Sequence, residues 1–188
     1  MRSALLLAAA LTVPASPALA RVSFGEHDVR TVFYISKSDD RNRVDYGIRL
    51  TAQCMPDGDE PVYAYWHRFE PRQARFGDLR GMDRRAYGIR RQSVSSRAAN
   101  GSWIEMRIRG FSRERILILV QRGADGTCHA RAQVRIDAHD AFLDHIHIQL
   151  SGPMRIENVI LEGTDVQSGS PLRESRRPPR TRLPRLGG

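Results

Sequence analysis

The chain has 188 residues and a formal net charge of +9, with 27% charged and 7% aromatic residues. That length, less a leader, is enough for one domain with a core of its own. The charge is concentrated at the C-terminal end: residues 173–188 hold six arginines and one glutamate, Arg2 adds one more charge, and Arg21 to Gln167 is left at +3, from 23 basic and 20 acidic side chains. A nearly balanced body gives no reason to expect a nucleic-acid partner.

The first twenty residues, MRSALLLAAALTVPASPALA, combine an early arginine, an apolar run from Ala4 to Val13 and small residues at Ala18 and Ala20. This pattern predicts a secretory signal peptide over residues 1–20, cleaved at an A-x-A site. The apolar run falls short of the roughly 20 residues that span a bilayer, and no later segment comes close, so no transmembrane segment is expected. The protein is therefore expected to be exported, to the periplasm or beyond the cell.

Short strand-like runs follow: VRTVFYIS (29–36), RVDYGIRLTAQC (43–54) and PVYAYWHRF (61–69), the last two separated by the turn MPDGDE. An irregular stretch comes next, in which LRGMDRRAYG (79–88) predicts at most one short helix. Five more runs follow: SWIEMRIRG (102–110), RILILVQ (115–121), TCHARAQVRID (127–137), FLDHIHIQLS (142–151) and RIENVILEG (155–163). Alternation assigns Ile104, Met106 and Ile108 to one face and Glu105, Arg107 and Arg109 to the other. Cys128, Ala130, Ala132, Val134 and Ile136 likewise point inward, opposite His129, Arg131, Gln133 and Arg135. The predicted fold is all-β, about eight antiparallel strands in a sandwich or small barrel, because one face of each strand is wet and the connections are too short for helical crossovers. The single β domain is expected over residues 24–165. The end, SGSPLRESRRPPRTRLPRLGG (168–188), has four prolines and no apolar periodicity, which predicts a disordered basic tail.

VFYISKSDDRNRVDYGI, PVYAYW and MDRRAYGI together resemble an uncharacterised bacterial family, a domain of unknown function with a P-V-x-x-Y-W strand and an A-Y-G segment. The matching positions are Asn42, Tyr46, Pro61, Val62, Tyr65, Trp66, Ala86, Tyr87 and Gly88, and FLDHIHIQLSG and RIENVILEG are similar to its closing strands. The resemblance spans most of residues 29–165. It implies shared architecture and carries no reaction, cofactor or catalytic residue with it.

The aromatic strand PVYAYWHRF admits two readings. Trp66 shares a face with Val62 and Ala64 and fills a core in either of them. On the packing reading the tyrosines cover a second surface; on the functional one Tyr46, Tyr63 and Tyr65 line a groove closed by Arg84, Arg85 and Tyr87, with guanidinium forks suited to a carboxylate or phosphate. Gly47 and Gly88, each after a tyrosine, allow close backbone approach or a bulge.

Motifs for catalysis are weak: there is no G-x-S-x-G elbow, no H-E-x-x-H and no phosphate-cradling glycine loop. His145 and His147, at i and i+2, form half of a zinc or iron site that would need a third ligand such as Asp140 or His129. The bland reading places both on a wet polar face, outside Ile146, Ile148 and Leu150. Asp39, Asp40 and Asp45 read as turn chemistry. Cys54 and Cys128, in an exported chain, are expected to form a disulfide.

The leading functional expectation is an exported, non-catalytic binding module that presents an aromatic and arginine surface to an anionic envelope component or small ligand, with no cofactor. The alternatives are a metal-dependent enzyme using His145 and His147, and a structural envelope protein.

Overall fold

A computed structural model describes residues 31–70, 74–97, 101–111, 113–151 and 155–177. The segment read as a signal peptide lies outside the described residues. Eleven strands and one short helix follow in the order β1 (Thr31–Lys37), β2 (Asp40–Ile48), β3 (Val62–His67), β4 (Phe76–Asp78), α1 (Gly81–Tyr87), β5 (Ile89–Arg97), β6 (Gly101–Ile108), β7 (Ile116–Arg122), β8 (Cys128–Ile136), β9 (His139–Leu150), β10 (Ile156–Asp165) and β11 (Pro171–Arg176). The all-β expectation holds. All eight anticipated runs are strands, and the helix falls within the segment assigned to it.

The strands form one sheet in the order β4-β3-β2-β1-β9-β8-β7-β6-β5, with β10 joined to the other edge of β9 and β11 to β10. Every pairing is antiparallel except β1 with β9. The sheet is not closed into a barrel. Where β3 comes near β5, Gln92 replaces a ladder: its carbonyl accepts from Val62 N–H at 3.0 Å and its amide donates to the Val62 carbonyl at 3.2 Å. A side-chain amide thus satisfies two backbone groups across the gap.

β9 organises the fold. Along one edge its first half pairs with β8 and its second half with β1, while β10 runs along the other edge. Leu143 pairs with Gly163 and His145 with Glu162, so Asp144 is an extra residue, a β-bulge. It reverses the parity of the strand: Ala141 and Leu143 are buried before it, Ile146 and Ile148 after it. Gly163 is required there, since a Cβ would lie 2.2 Å from the Phe142 carbonyl oxygen.

The inner face of the curled sheet is the core, where Phe33, Ile35, Val44, Tyr46, Ile104, Met106, Ile108, Ile116, Ile118, Ile136 and Leu143 are almost fully buried. β6 shows the expected alternation, with Ser102, Ile104, Met106 and Ile108 buried in turn. Cys54 and Cys128 form a disulfide with their Cα atoms 5.2 Å apart. The second strand ends at Ile48, before Cys54, which sits in the following loop with φ 62°.

Three strands were not anticipated. β4 has three residues, and β5 (IRRQSVSSR) carries too few apolar side chains to register as a strand. β11 corrects part of the expected disordered tail. Residues 171–176 pair with β10, Leu172 packs against the core, and Glu174 accepts from Asp137 N–H while Arg176 bridges Glu174 and Glu114. Charge pairing and ladder bonds order a segment whose composition lacks the apolar surface to order itself. Residues 178–188 lie outside the described residues.

Candidate functional site

Of the six residues expected to form one groove, Tyr46, Tyr63 and Tyr65 lie on β2 and β3 and are divided between two faces of the sheet, while Arg84, Arg85 and Tyr87 lie on α1. Tyr46 pairs with Ala64, whereas Tyr65 pairs with Asp45, so the two rings point to opposite sides. Tyr46 is wholly buried, stacked on Phe33 at 4.4 Å, and donates its hydroxyl to the Tyr87 carbonyl at 2.6 Å. Burial raises its pKa well above the ordinary phenol value. Tyr65, 1% exposed on the outer face, has its hydroxyl 3.2 Å from Thr31 Oγ1 and 3.5 Å from Asp45. Its pKa is pushed up to about 12, chiefly by burial. Tyr63 stacks beside it at 5.7 Å and lies over Gly47, where a Cβ would meet the Tyr63 ring at 2.7 Å. Close approach is thus the role of Gly47, as expected. Tyr87 is half-buried, edge-on to Trp66, with its pKa also near 12, from burial first and Asp83 second. Arg84 and Arg85 are exposed on α1.

Arg84 belongs to a separate polar groove of about 490 Å³ at the open seam between β3 and β5. Arg80, Arg90, Arg91 and Arg109 also line it, against two carboxylates, Glu60 and Asp78, so its ionisable lining sums to +3 (five minus two). Among the described residues these five arginines make no salt bridge. The composition of β5 hid this groove as a sequence feature, because its arginines converge with those of α1 only when β5 reaches the seam.

The outer face of β2, β1, β9 and β10 carries a second polar array. Asp45, expected in a turn, lies instead within β2 and is 1% exposed. His67 Nδ1 is 2.9 Å from its Oδ2, and Arg43 Nε lies 2.7 Å from Oδ1 as a charge contact whose N–H is not aimed at the oxygen. A buried carboxylate needs such partners, and Arg43 and His67 supply them from neighbouring strand positions. Asp40 does act in the turn, its Oδ1 accepting from Asn42 N–H at 2.9 Å. The Arg43 guanidinium also covers the Tyr34 ring at 4.3 Å, and Tyr34 stacks on His145 at 4.4 Å.

The parity reversal at Asp144 turns His145 and His147 to this outer face, as expected, beside Ser36. Ser36 Oγ lies 2.7 Å from His145 Nε2 and 2.8 Å from His147 Nδ1. His145 Nδ1 is in turn 3.1 Å from Glu162 Oε2. The pKa of His145 is lowered, chiefly by burial, with Glu162 acting in the opposite sense. The expected third metal ligands are elsewhere: His129, near the start of β8, bonds Thr127, and Asp140 pairs with Arg135 of β8. Among the described residues no group of three or more His, Cys, Asp or Glu side chains is placed to hold a metal ion. Sequence reasoning missed Ser36 and Glu162, which lie 109 and 17 positions from His145 and meet it only through strand register.

Residues 33–175 match the family model described as a domain of unknown function, DUF4833. No curated protein and no solved structure matches the chain.

Proposed function

This chain belongs to the DUF4833 family, and from that premise we propose that it is an exported binding module that holds an anionic ligand, a small molecule or an envelope component, in the arginine groove between β3 and β5. The observation that carries this reading is the set of five arginines there, none in a salt bridge among the described residues. Like charges gathered around a concave surface repel one another, and an anion relieves that repulsion while accepting charge-assisted hydrogen bonds. Guanidinium forks suit the planar carboxylate and the phosphate equally. Arg84 lines this groove instead of closing the tyrosine groove expected of it, and Arg85 and Tyr87, on the same helix, are not among the lining residues.

Export is supported by the leader-like sequence of residues 1–20 and by a disulfide, a bond that persists in oxidising compartments. No helix among the described residues is long and apolar enough to cross a membrane.

Calorimetric titration with inorganic pyrophosphate and co-sedimentation with vesicles of anionic phospholipid test the proposal and separate a soluble ligand from a headgroup. Arg84→Ser and Arg91→Ser are each expected to weaken binding by about tenfold or more, the cost of a hydrogen bond to a charged group, without altering the melting temperature. Binding of neither probe, or binding unchanged in the double variant, overturns the reading.

A further inference from the structure

The contacts around Ser36 fix the direction of a hydrogen-bond chain. An ionised Glu162 only accepts, so the neutral His145 ring carries its proton on Nδ1 and donates it to Oε2 at 3.1 Å. Nε2 of that tautomer is an acceptor, so the Ser36 hydroxyl at 2.7 Å donates to it. The remaining capacity of Ser36 Oγ accepts from His147 Nδ1–H at 2.8 Å. A hydroxyl whose proton already points at an imidazole, with that imidazole oriented by a carboxylate, is the nucleophile, base and orienter geometry of acyl transfer.

We infer that Ser36, His145 and Glu162 form a nucleophilic relay on the outer face of the sheet, a second functional site distinct from the arginine groove, and that its substrates are carboxylic esters. Ser36 and His145 are partly exposed; the β9 bulge turns His145 outward, and alternation with buried Phe33 and Ile35 turns Ser36 to the same face. In the first step Ser36 Oγ bonds to the ester carbonyl carbon as its proton passes to His145 Nε2. The tetrahedral intermediate collapses, the bond to the alkoxy oxygen breaks, and the alcohol leaves with the proton from His145. Water then attacks the acyl-serine, giving its proton to His145, which returns it to Ser36 Oγ as the acid departs. The balance is ester plus water to acid plus alcohol. Arg43, the cross-strand partner of Ser36 on β2, is a cation in register for the oxyanion while it also holds Asp45, and His147 supports Oγ from the other side. Ser36 and His145 are catalytic residues in this reaction; Glu162, which acts through His145, is a positioning residue.

The test is labelling of the folded protein with a fluorophosphonate, whose phosphorus takes Ser36 Oγ as fluoride leaves. One adduct per chain is expected, mapped by mass spectrometry to Ser36 and lost when the chain is heat-denatured first. His145→Gln is expected to slow labelling by roughly 100-fold, the lower range for loss of a general base. The labelling rate of the native protein should fall in acid with a midpoint below the ordinary imidazole value. The charged or titratable groups around His145 are Tyr34 on β1, Arg43 on β2, His147 on β9, Glu162 on β10 and Arg173 on β11, which pairs with Glu162. Because Glu162 raises the His145 pKa, Glu162→Gln should move that midpoint further into acid, a shift that a merely structural contact would not produce. No adduct on Ser36 of the native protein, an adduct on either histidine instead, or equal labelling of the denatured chain overturns the inference. None of these outcomes touches the arginine groove, so it stands or falls apart from the anion-binding proposal.

Discussion

At the scale of single residues, tyrosine environments divide the aromatic cluster. All five tyrosines lie among the described residues, and three of them, Tyr46, Tyr65 and Tyr87, have phenol groups held above their ordinary pKa by burial, the last two to about 12. In the unfolded chain the same groups ionise near 10, the ordinary value. Since the folded values are higher, the stabilisation they contribute is complete below pH 10, and that of Tyr65 and Tyr87 is lost as pH rises through about 12. Absorbance titration at 295 nm should therefore show the tyrosine ionisation in at least two phases, the later one coinciding with alkaline unfolding seen by circular dichroism. A single phase centred near 10 with the fold intact would contradict this burial. The cluster's composition was legible in the sequence, and so was the close approach at Gly47. That Tyr46 and Tyr65 point to opposite sides was not, because facing depends on the pairing register of β2 with β3 as well as on alternation within each strand.

Among the elements, β9 determines what the outer face can do. Deleting Asp144 should abolish the outward placement of His145 and His147, since a slip of one residue moves every side chain beyond it to the opposite face. Ile146 and Ile148 would leave the core in exchange for two imidazoles. Burial of a large aliphatic side chain contributes about 1.5–3 kcal/mol, so the loss for two is about 3–6 kcal/mol if the strand keeps its pairing. Chemical denaturation of the deletion variant measures it. A variant as stable as the native chain, with Ser36 still labelled, would show that the bulge is dispensable. The alternation after the bulge was readable from HIHIQL, and the outward setting of the histidines with it. The bulge itself was not, because an extra residue is defined only relative to β10. β11 escaped detection for a related reason: Glu174 and Arg176 are ordered by the ladder with the preceding strand β10 and by Asp137 and Glu114, which are distant in the chain.

Over the whole molecule, one covalent link ties the loop after β2 to the start of β8, a sequence separation of 74. In the chain-entropy model a loop of that length is worth about 4.5 kcal/mol, through restriction of the unfolded ensemble. Urea unfolding with and without reductant should show a decrease of that order or somewhat less, with fluorophosphonate labelling of Ser36 and pyrophosphate binding retained below the transition. Among the described residues, neither cysteine lines the arginine groove or contacts Ser36, His145 or Glu162 in a hydrogen bond, so loss of either activity on reduction, with the fold intact, would mean that the bond positions a site. Arg122 reinforces the junction, donating to the Ala52 carbonyl at 2.6 Å.

The sequence by itself determined the β class, the identity of eight strands, the inward faces of β6 and β8, and the pairing of the two cysteines, because two-residue alternation and cysteine count are local or nearly local properties. Tertiary structure alone decided which strands are neighbours, and therefore which side chains meet. Ser36 reaches His145 through the parallel pairing of β1 with β9, and Glu162 reaches it through β10; the five arginines gather because β5 arrives opposite β3. Such contacts depend on register between distant segments, and register is settled by the collective burial of one face of the sheet, a quantity no single stretch of chain contains.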